Sequence, residues 1–168
     1  MKLFIGGYAQ GKNKYAQARF PGYAFLDEKN YDLGVGIMNW GAGPIENPIE
    51  NPIEEPGEEI GKAVAHSESA KAANHGILVN HLHRIIRKEL EDGRAEEEIR
   101  EEILRLGRQP FEVVFLCDEL GNGIVPIDPD EREWREVVGH ILIAVAAEAN
   151  EVLRIFCGIP EVIKKDVK

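Results

Sequence analysis

The chain of 168 residues carries 30 acidic against 20 basic side chains, a formal net charge of −10, with 43% hydrophobic and 30% charged residues. That length predicts a single domain over 1–168 with one continuous core, and the proportions are those of an ordinary globular protein. The acidity argues against nucleic acid or an anionic membrane as a partner, because neutralising many phosphates needs clustered Lys and Arg. A nucleotide stays open, since one loop and one lysine can hold it. Cys117 and Cys157 are too few for a disulfide framework, and their apolar settings mark them as small core residues. The first residues, Met1-Lys2-Leu3-Phe4-Ile5-Gly6, lack the apolar core of a secretory leader. The longest apolar run, residues 141–147, is far shorter than the roughly 20 residues that span a bilayer. A cytoplasmic location is expected.

In chain order, residues 3–5 read as a short buried strand, and the glycine loop that follows opens onto a helix over 12–19. Residues 23–26 suggest a second strand. The segment at about 41–60 changes character: Ile45-Glu46-Asn47-Pro48, Ile49-Glu50-Asn51-Pro52 and Ile53-Glu54-Glu55-Pro56 repeat one tetrapeptide three times. Proline at every fourth position forbids helix and discourages a central strand, so this Pro/Glu-rich insertion reads as an extended acidic excursion. Leu78, Leu82, Ile85, Ile86 and Leu90 recur at helical spacing, although Ile77-Leu78-Val79 alone has the composition of a strand. Residues 95–106 form a helix with Glu96, Glu97 and Glu98 in its first turn and Arg105 near its end, matching the helix dipole. Residues 113–117 and 152–156 are apolar strand candidates. Between them a long helix over 130–151 is apolar nearly all round in its second half, which predicts burial or a subunit interface. Short apolar strands separated by helices predict an α/β fold: a P-loop-like three-layer arrangement, with a mostly parallel sheet flanked by helices.

The motif richest in chemistry is Gly6-Gly7-Tyr8-Ala9-Gln10-Gly11-Lys12-Asn13. It has the G-x-x-x-x-G-K spacing of a phosphate-binding loop and lies between a predicted strand and a predicted helix. Glycines let successive backbone N–H groups curl toward phosphate oxygens, and the helix N-terminus adds positive potential. Lys12 would neutralise β/γ-phosphate charge. Asn13 stands where a Ser or Thr hydroxyl usually meets Mg²⁺; its amide oxygen is a weaker ligand. The second element, Cys117-Asp118-Glu119-Leu120-Gly121-Asn122-Gly123-Ile124-Val125-Pro126, ends a strand in two carboxylates before a glycine turn. Ligands of open α/β sheets sit at that edge. Glu119 or Asp118 would there hold Mg²⁺, with Asn13, or polarise a substrate hydroxyl. Asn80-His81-Leu82-His83-Arg84 has two readings. As helix it places His81 and His83 about 200° apart, unable to share one metal. If a strand ends at Val79, Asn80 and His81 reach the same edge as Lys12, to position phosphate or substrate. His140 reads as a core or interface histidine. Trp134 is read as packing, and Arg132 and Arg135 as pinning the long helix or approaching phosphates.

These blocks together resemble the adenosylcobinamide kinase/adenosylcobinamide-phosphate guanylyltransferase family of cobalamin assembly. The likeness rests on Gly6-Gly7 with Gly11-Lys12, and on Glu119-Leu120-Gly121-Asn122-Gly123-Ile124-Val125-Pro126 beside the family's N-E-V-G-x-G-I-V-P. It continues through Arg132-Glu133-Trp134-Arg135-Glu136, Gly139, Ala149-Asn150-Glu151-Val152 and Cys157-Gly158-Ile159-Pro160. The resemblance implies phosphorylation of the hydroxyl on an adenosylcobinamide-type corrinoid by ATP or GTP with Mg²⁺, and a homo-oligomer, by the family's habit a trimer. The family then transfers GMP through a guanylylated histidine in a His-x-x-x-Arg-Pro-x-x-Trp stretch. Here that interval holds the tetrapeptide repeat, and His66 and His75 have other surroundings, so loss of guanylyltransfer is expected. Asn80 stands at the place of a family acid, and Leu142 and Ile143 replace polar residues. Two rival readings are a catalytically silent nucleotide- or corrinoid-binding regulator and an oligomeric interaction module built on the apolar helix and the repeat.

Overall fold

The apolar runs that predict buried strands pair side by side in one sheet. A computed structural model describes residues 1–29 and 76–166. Its elements are β1 (Lys2–Gly6), α1 (Lys12–Arg19), β2 (Ala24–Leu26), β3 (Gly76–Val79), α2 (Leu82–Glu91), α3 (Glu96–Gly107), β4 (Glu112–Asp118), α4 (Pro129–Glu148), β5 (Glu151–Phe156) and β6 (Ile159–Lys165). The sheet order is β2-β3-β4-β1-β5-β6. The first five strands run parallel and β6 returns antiparallel to β5. The expected α/β fold with a mostly parallel, helix-flanked sheet is therefore present. The tetrapeptide repeat, His66 and His75 lie outside the described residues.

Strand alternation explains why the runs are continuously apolar. Leu3, Ile77, Val79, Val113, Phe115, Cys117 and Val152 face a core built with α2, α3 and α4. Phe4, Leu78, Val114, Leu116, Leu153 and Ile155 face the opposite core, with Ala16 of α1 and the rings of Tyr15 and Phe20. Both faces of each central strand are covered, which keeps the strand interiors mainly apolar and leaves charged residues such as Lys2, Glu112, Asp118 and Glu151 at the strand ends. Fully burying a side chain such as Phe115 or Ile103 contributes about 2 kcal/mol.

Local chemistry sets the element ends. Asp128 caps α4 by accepting the Asp130 N–H at 3.0 Å, with Pro129 at the first turn. The sequence places the end of that helix at residue 151, but it stops at Glu148. The Asn150 N–H is taken by the Met1 carbonyl at 3.0 Å, and Glu151 pairs with Lys2 to begin β5. Nor is α4 buried all round: Val137, Val138, Ile141 and Val145 are buried, whereas Ile143 is 71% exposed. His140, expected in a core or interface, is exposed and faces Glu96, with Nδ1 3.1 Å from Oε1. The two readings of residues 77–90 both hold, in sequence: strand to Val79, then helix from Leu82.

No apolar run in the sequence points to strand β6, which is exposed along nearly its whole length. Cys157 and Gly158 take positive φ values of 50° and 76° and form a two-residue turn that pairs Phe156 with Ile159. Its single free edge tolerates Pro160.

Candidate functional site

The connections leaving β1 and β4 run in opposite directions across the sheet, which places a crevice between their C-terminal ends. There Gly6 pairs in register with Asp118. Gly6 is required by close approach, because a Cβ would lie 2.3 Å from the Ile155 carbonyl oxygen. Beyond it the chain curls through Ala9, at φ 58°, to Gly11 at φ 84°, the N-cap of α1. No side chain caps α1 and no acid sits in its first turn, so its leading N–H groups have no side-chain acceptor, as an anion cradle would need. Asn13 sits half-buried in that first turn.

The loop is clasped by the β5–β6 turn, beside β1 in the sheet. The Gln10 side chain accepts the Cys157 N–H at 2.7 Å, and the Gln10 carbonyl accepts the Gly158 N–H at 2.9 Å. A Cβ on Gly11 would stand 3.3 Å from the Gly158 Cα, so the β5–β6 turn and the loop are in direct contact.

Lys12 is buried, and its ammonium is committed three ways. It donates to the Gly6 carbonyl at 3.0 Å and the Gly7 carbonyl at 2.7 Å, and lies 2.5 Å from Oδ1 of Asp118. Alternation along β4 decides which carboxylate it meets. Val114 and Leu116 face α1, so Asp118, two residues on, does too. Glu119 turns the other way, where Arg154 grips both its oxygens, at 2.9 and 3.1 Å, and Asn122 adds a hydrogen bond of 3.1 Å. The structure thus brings Lys12 together with Asp118 and sets Glu119 beside Arg154. Two oxygen donors, the Asp118 carboxylate and the Asn13 amide, come from residues at or next to Lys12 and are of the kind that could hold a magnesium ion. Such an ion keeps several waters and asks for one or two oxygens, which Asp118 and the Asn13 amide have the chemistry to supply.

A pocket of about 520 Å³ adjoins this contact, with Tyr8, His83, Arg87, Asp118, Glu119 and Trp134 among its lining residues. His83 is absent from the candidates read off the sequence. It is buried, and its Nδ1 accepts the Asp118 backbone N–H at 3.3 Å while its Nε2 lies 3.7 Å from the Asp118 Oδ2. Burial pushes its pKa down to about 4, against the opposing pull of Asp118. The same burial pushes the Cys117 thiol up to about 12, so that thiol is an inert neighbour. The signal for His83 was available: it lies three and seven residues before Ile86 and Leu90, a polar residue on an apolar helical stripe. Trp134 packs as expected but also donates its indole N–H to the His83 carbonyl at 2.8 Å, with the Arg87 guanidinium stacked 4.8 Å from its ring.

The remaining candidates are placed as follows. Asn80 is buried at the end of β3, its N–H on the Leu26 carbonyl at 2.7 Å and its amide nitrogen 3.2 Å from the His81 ring. His81, the N-cap of α2, lies 3.3 Å from Glu28, which Arg84 also meets at 2.9 Å. Both therefore lie at the C-terminal edge of the sheet, as the strand reading has it, but on the β2 side and outside the lining of the pocket. Arg132 donates to the Pro126 and Ile127 carbonyls at 2.9 and 2.6 Å, and Arg135 to Ile124 at 3.1 Å. They fasten the loop after Glu119 to α4. Among the described residues, no helix is long and apolar enough to cross a membrane.

Comparison with known proteins adds a family. The model of the cobinamide kinase / cobinamide phosphate guanyltransferase family matches residues 52–163, about two thirds of the chain. That stretch takes in Asn80, His83, Asp118 and Glu119 and leaves the glycine loop outside it. The chain is similar to the bifunctional adenosylcobalamin biosynthesis protein CobU of Escherichia coli, 39% identical over 67 residues, 40% of this chain and 37% of that protein. It is 36% identical over 69 residues to the protein of the same name from Salmonella typhimurium, 41% of this chain and 38% of the relative. The matches thus span well under half the length of either relative.

Proposed function

The chain belongs to the cobinamide kinase / cobinamide phosphate guanyltransferase family, and from that premise we propose that it transfers a phosphoryl group from ATP or GTP to the hydroxyl of a cobinamide-type corrinoid in cobalamin assembly. The observation that carries this reading is the convergence of Lys12 and Asp118 beneath a glycine loop, at the N-terminus of α1 and beside an open pocket. The Mg-nucleotide enters as substrate. The loop amides of Gly6 to Gly11 and the Lys12 ammonium hold its phosphates, and the acceptor hydroxyl comes in from the pocket side. The hydroxyl oxygen bonds to the γ-phosphorus as the bond to the bridging oxygen breaks, the nucleoside diphosphate leaves, and the hydroxyl proton passes to a carboxylate at the sheet edge. Asp118 is favoured for that proton or for the metal by its contact with Lys12, Glu119 being held by Arg154. Phosphoryl transfer depends mainly on positioning and charge stabilisation, so Asn13 in place of a hydroxyl slows the reaction without removing its basis.

Guanylyltransfer is not part of the proposed activity, because the sequence lacks the family's histidine stretch. A homo-oligomer, a trimer in this reading, has surfaces available in Ile143 of α4 and in Ile159, Val162 and Ile163 of β6, all more than half exposed. The test is incubation with Mg-ATP or Mg-GTP and adenosylcobinamide, read by mass. Phosphorylated corrinoid is expected, with no covalent guanylyl adduct after labelled GTP. Tight nucleotide binding without product would favour a silent binder, the reading that Asn13 also suits, and would refute the kinase.

A further inference from the structure

His83 meets Asp118 at two points. One edge of its imidazole accepts the Asp118 backbone N–H at 3.3 Å, and the other stands 3.7 Å from the carboxylate oxygen that Lys12 does not occupy. We infer that His83 is a positioning residue for Asp118, holding that carboxylate in place when Lys12 turns away to the nucleotide phosphates. The inference deepens the proposed phosphotransfer and rests on that reading.

Its first support is the tautomer. Nδ1 is faced by the Asp118 N–H, whereas the Cys117 thiol, 4.0 Å away, donates to the Asp118 carbonyl at 3.5 Å. An acceptor at Nδ1 places the ring proton on Nε2, the atom beside Asp118 Oδ2. The ring thereby aims one N–H at this carboxylate oxygen. The second support is rigidity. The Trp134 indole N–H fixes the His83 carbonyl at 2.8 Å, and the Trp134 and His81 rings lie 6.2 and 5.8 Å from the imidazole. Arg87 stacks on Trp134 and is itself tied to Glu131 at 2.7 Å and Glu91 at 3.0 Å. The ring is thus held by a chain of contacts running from α2 to α4.

The third support is the change that nucleotide binding imposes. Oδ1 of Asp118 has the ammonium at 2.5 Å, and Oδ2 has Nε2 just beyond hydrogen-bond reach. Drawing Lys12 toward phosphates removes the stronger partner and leaves Nε2–H to close the remaining gap. Without it the carboxylate would be free to rotate among its χ2 orientations. An orienting partner of this kind typically changes rate by ten- to a hundredfold.

The test pairs phosphoryl transfer with NMR on the full chain. His83→Asn keeps an acceptor near the Asp118 N–H but loses the Nε2 donor; His83→Gln keeps a donor near the Nε2 position. The expected result is kcat lowered about tenfold in H83N, with KM for Mg-ATP within about twofold of the parent, and most of the loss recovered in H83Q. Equal kcat in H83N and parent, or the same loss in both variants, overturns the inference. In parallel, ¹⁵N-histidine spectra at neutral pH should show the Nε2–H tautomer for His83, and its Nε2 resonance should shift on saturation with a magnesium-bound non-hydrolysable ATP analogue. An Nδ1–H tautomer, or an unmoved resonance, also overturns it. A parent protein that binds the analogue but phosphorylates nothing refutes the kinase reading alone, and the NMR arm still decides whether His83 orients Asp118.

Discussion

Replacing Lys12 with Met removes a buried ammonium and leaves the Asp118 carboxylate facing only the neutral His83. Side chains of Lys12 and Asp118 are 7% and 11% exposed, so water replaces little of the lost interaction. Removing one partner of a buried pair costs about 3–5 kcal/mol. The residual contact with His83, and the bond that the Gly6 carbonyl keeps from the Glu119 N–H at 3.0 Å, argue for the low end, about 3 kcal/mol. For a chain of this length that corresponds to a fall in Tm of roughly 6–12 °C. Asp118→Asn alone strands the ammonium and costs a similar amount, whereas the double variant K12M/D118N leaves neither charge. Urea denaturation at pH 7, without nucleotide or metal, should therefore give a double variant more stable than the summed single costs predict, by at least about 1.5 kcal/mol. Singles as stable as the parent, or losses that add within about 0.5 kcal/mol, would refute the claim that Lys12 and Asp118 form a coupled buried pair.

Three further outcomes follow from the same geometry. Gly6→Ala puts a Cβ 2.3 Å from the Ile155 carbonyl oxygen, backbone against backbone, and should cost about 2–3 kcal/mol in urea denaturation while weakening nucleotide binding. Arg19→Ala strands the buried carboxylate of Glu151, now gripped at 2.7 and 3.0 Å, and should lower stability by about 2 kcal/mol with no effect on nucleotide affinity. His83, whose pKa is about 4 when folded and about 6.5 in the unfolded chain, makes the free protein acid-sensitive. Between those values the unfolded chain binds a proton that the folded one excludes, so stability falls as pH drops through 6.5 and levels off below 4. The share of His83 is about 2 kcal/mol between pH 7 and pH 5, and H83Q should lack it in paired urea titrations.

What could be read from the sequence followed from how strongly each segment was patterned. The runs at 3–5, 113–117 and 152–156 announced strands because both sheet faces are covered, leaving uninterrupted apolar residues. β6 carries Pro160, Glu161, Lys164 and Lys165 and is exposed along nearly its whole length, so no core imprinted a pattern on it. The long helix was overextended because Glu148, Ala149 and Asn150 are compatible with helix; what ends it is tertiary, the pairing of Glu151 with Lys2. At the site, the glycine loop and Lys12 were legible from spacing. That Asp118 rather than Glu119 meets Lys12 was implicit in the alternation of Val114 and Leu116, but spacing alone left both carboxylates open. Arg154 gave no motif, and His83 only its place on the apolar stripe of Ile86 and Leu90. Each is recruited across more than 30 residues of sequence by the neighbouring of β4 with β1 and β5 and by the packing of α2 on β4.

The most direct test of a phosphate site at Lys12 is a calorimetric titration of the full chain with Mg-ATP and with Mg-GTP, repeated on Lys12→Met at a temperature where circular dichroism shows the variant folded. A charge-assisted contact to phosphate is worth about 1.5–3 kcal/mol, so the parent should bind at least one nucleotide saturably and the variant roughly ten- to a hundredfold more weakly. A parent that binds neither nucleotide, or a variant that binds as tightly as the parent, would contradict the assignment.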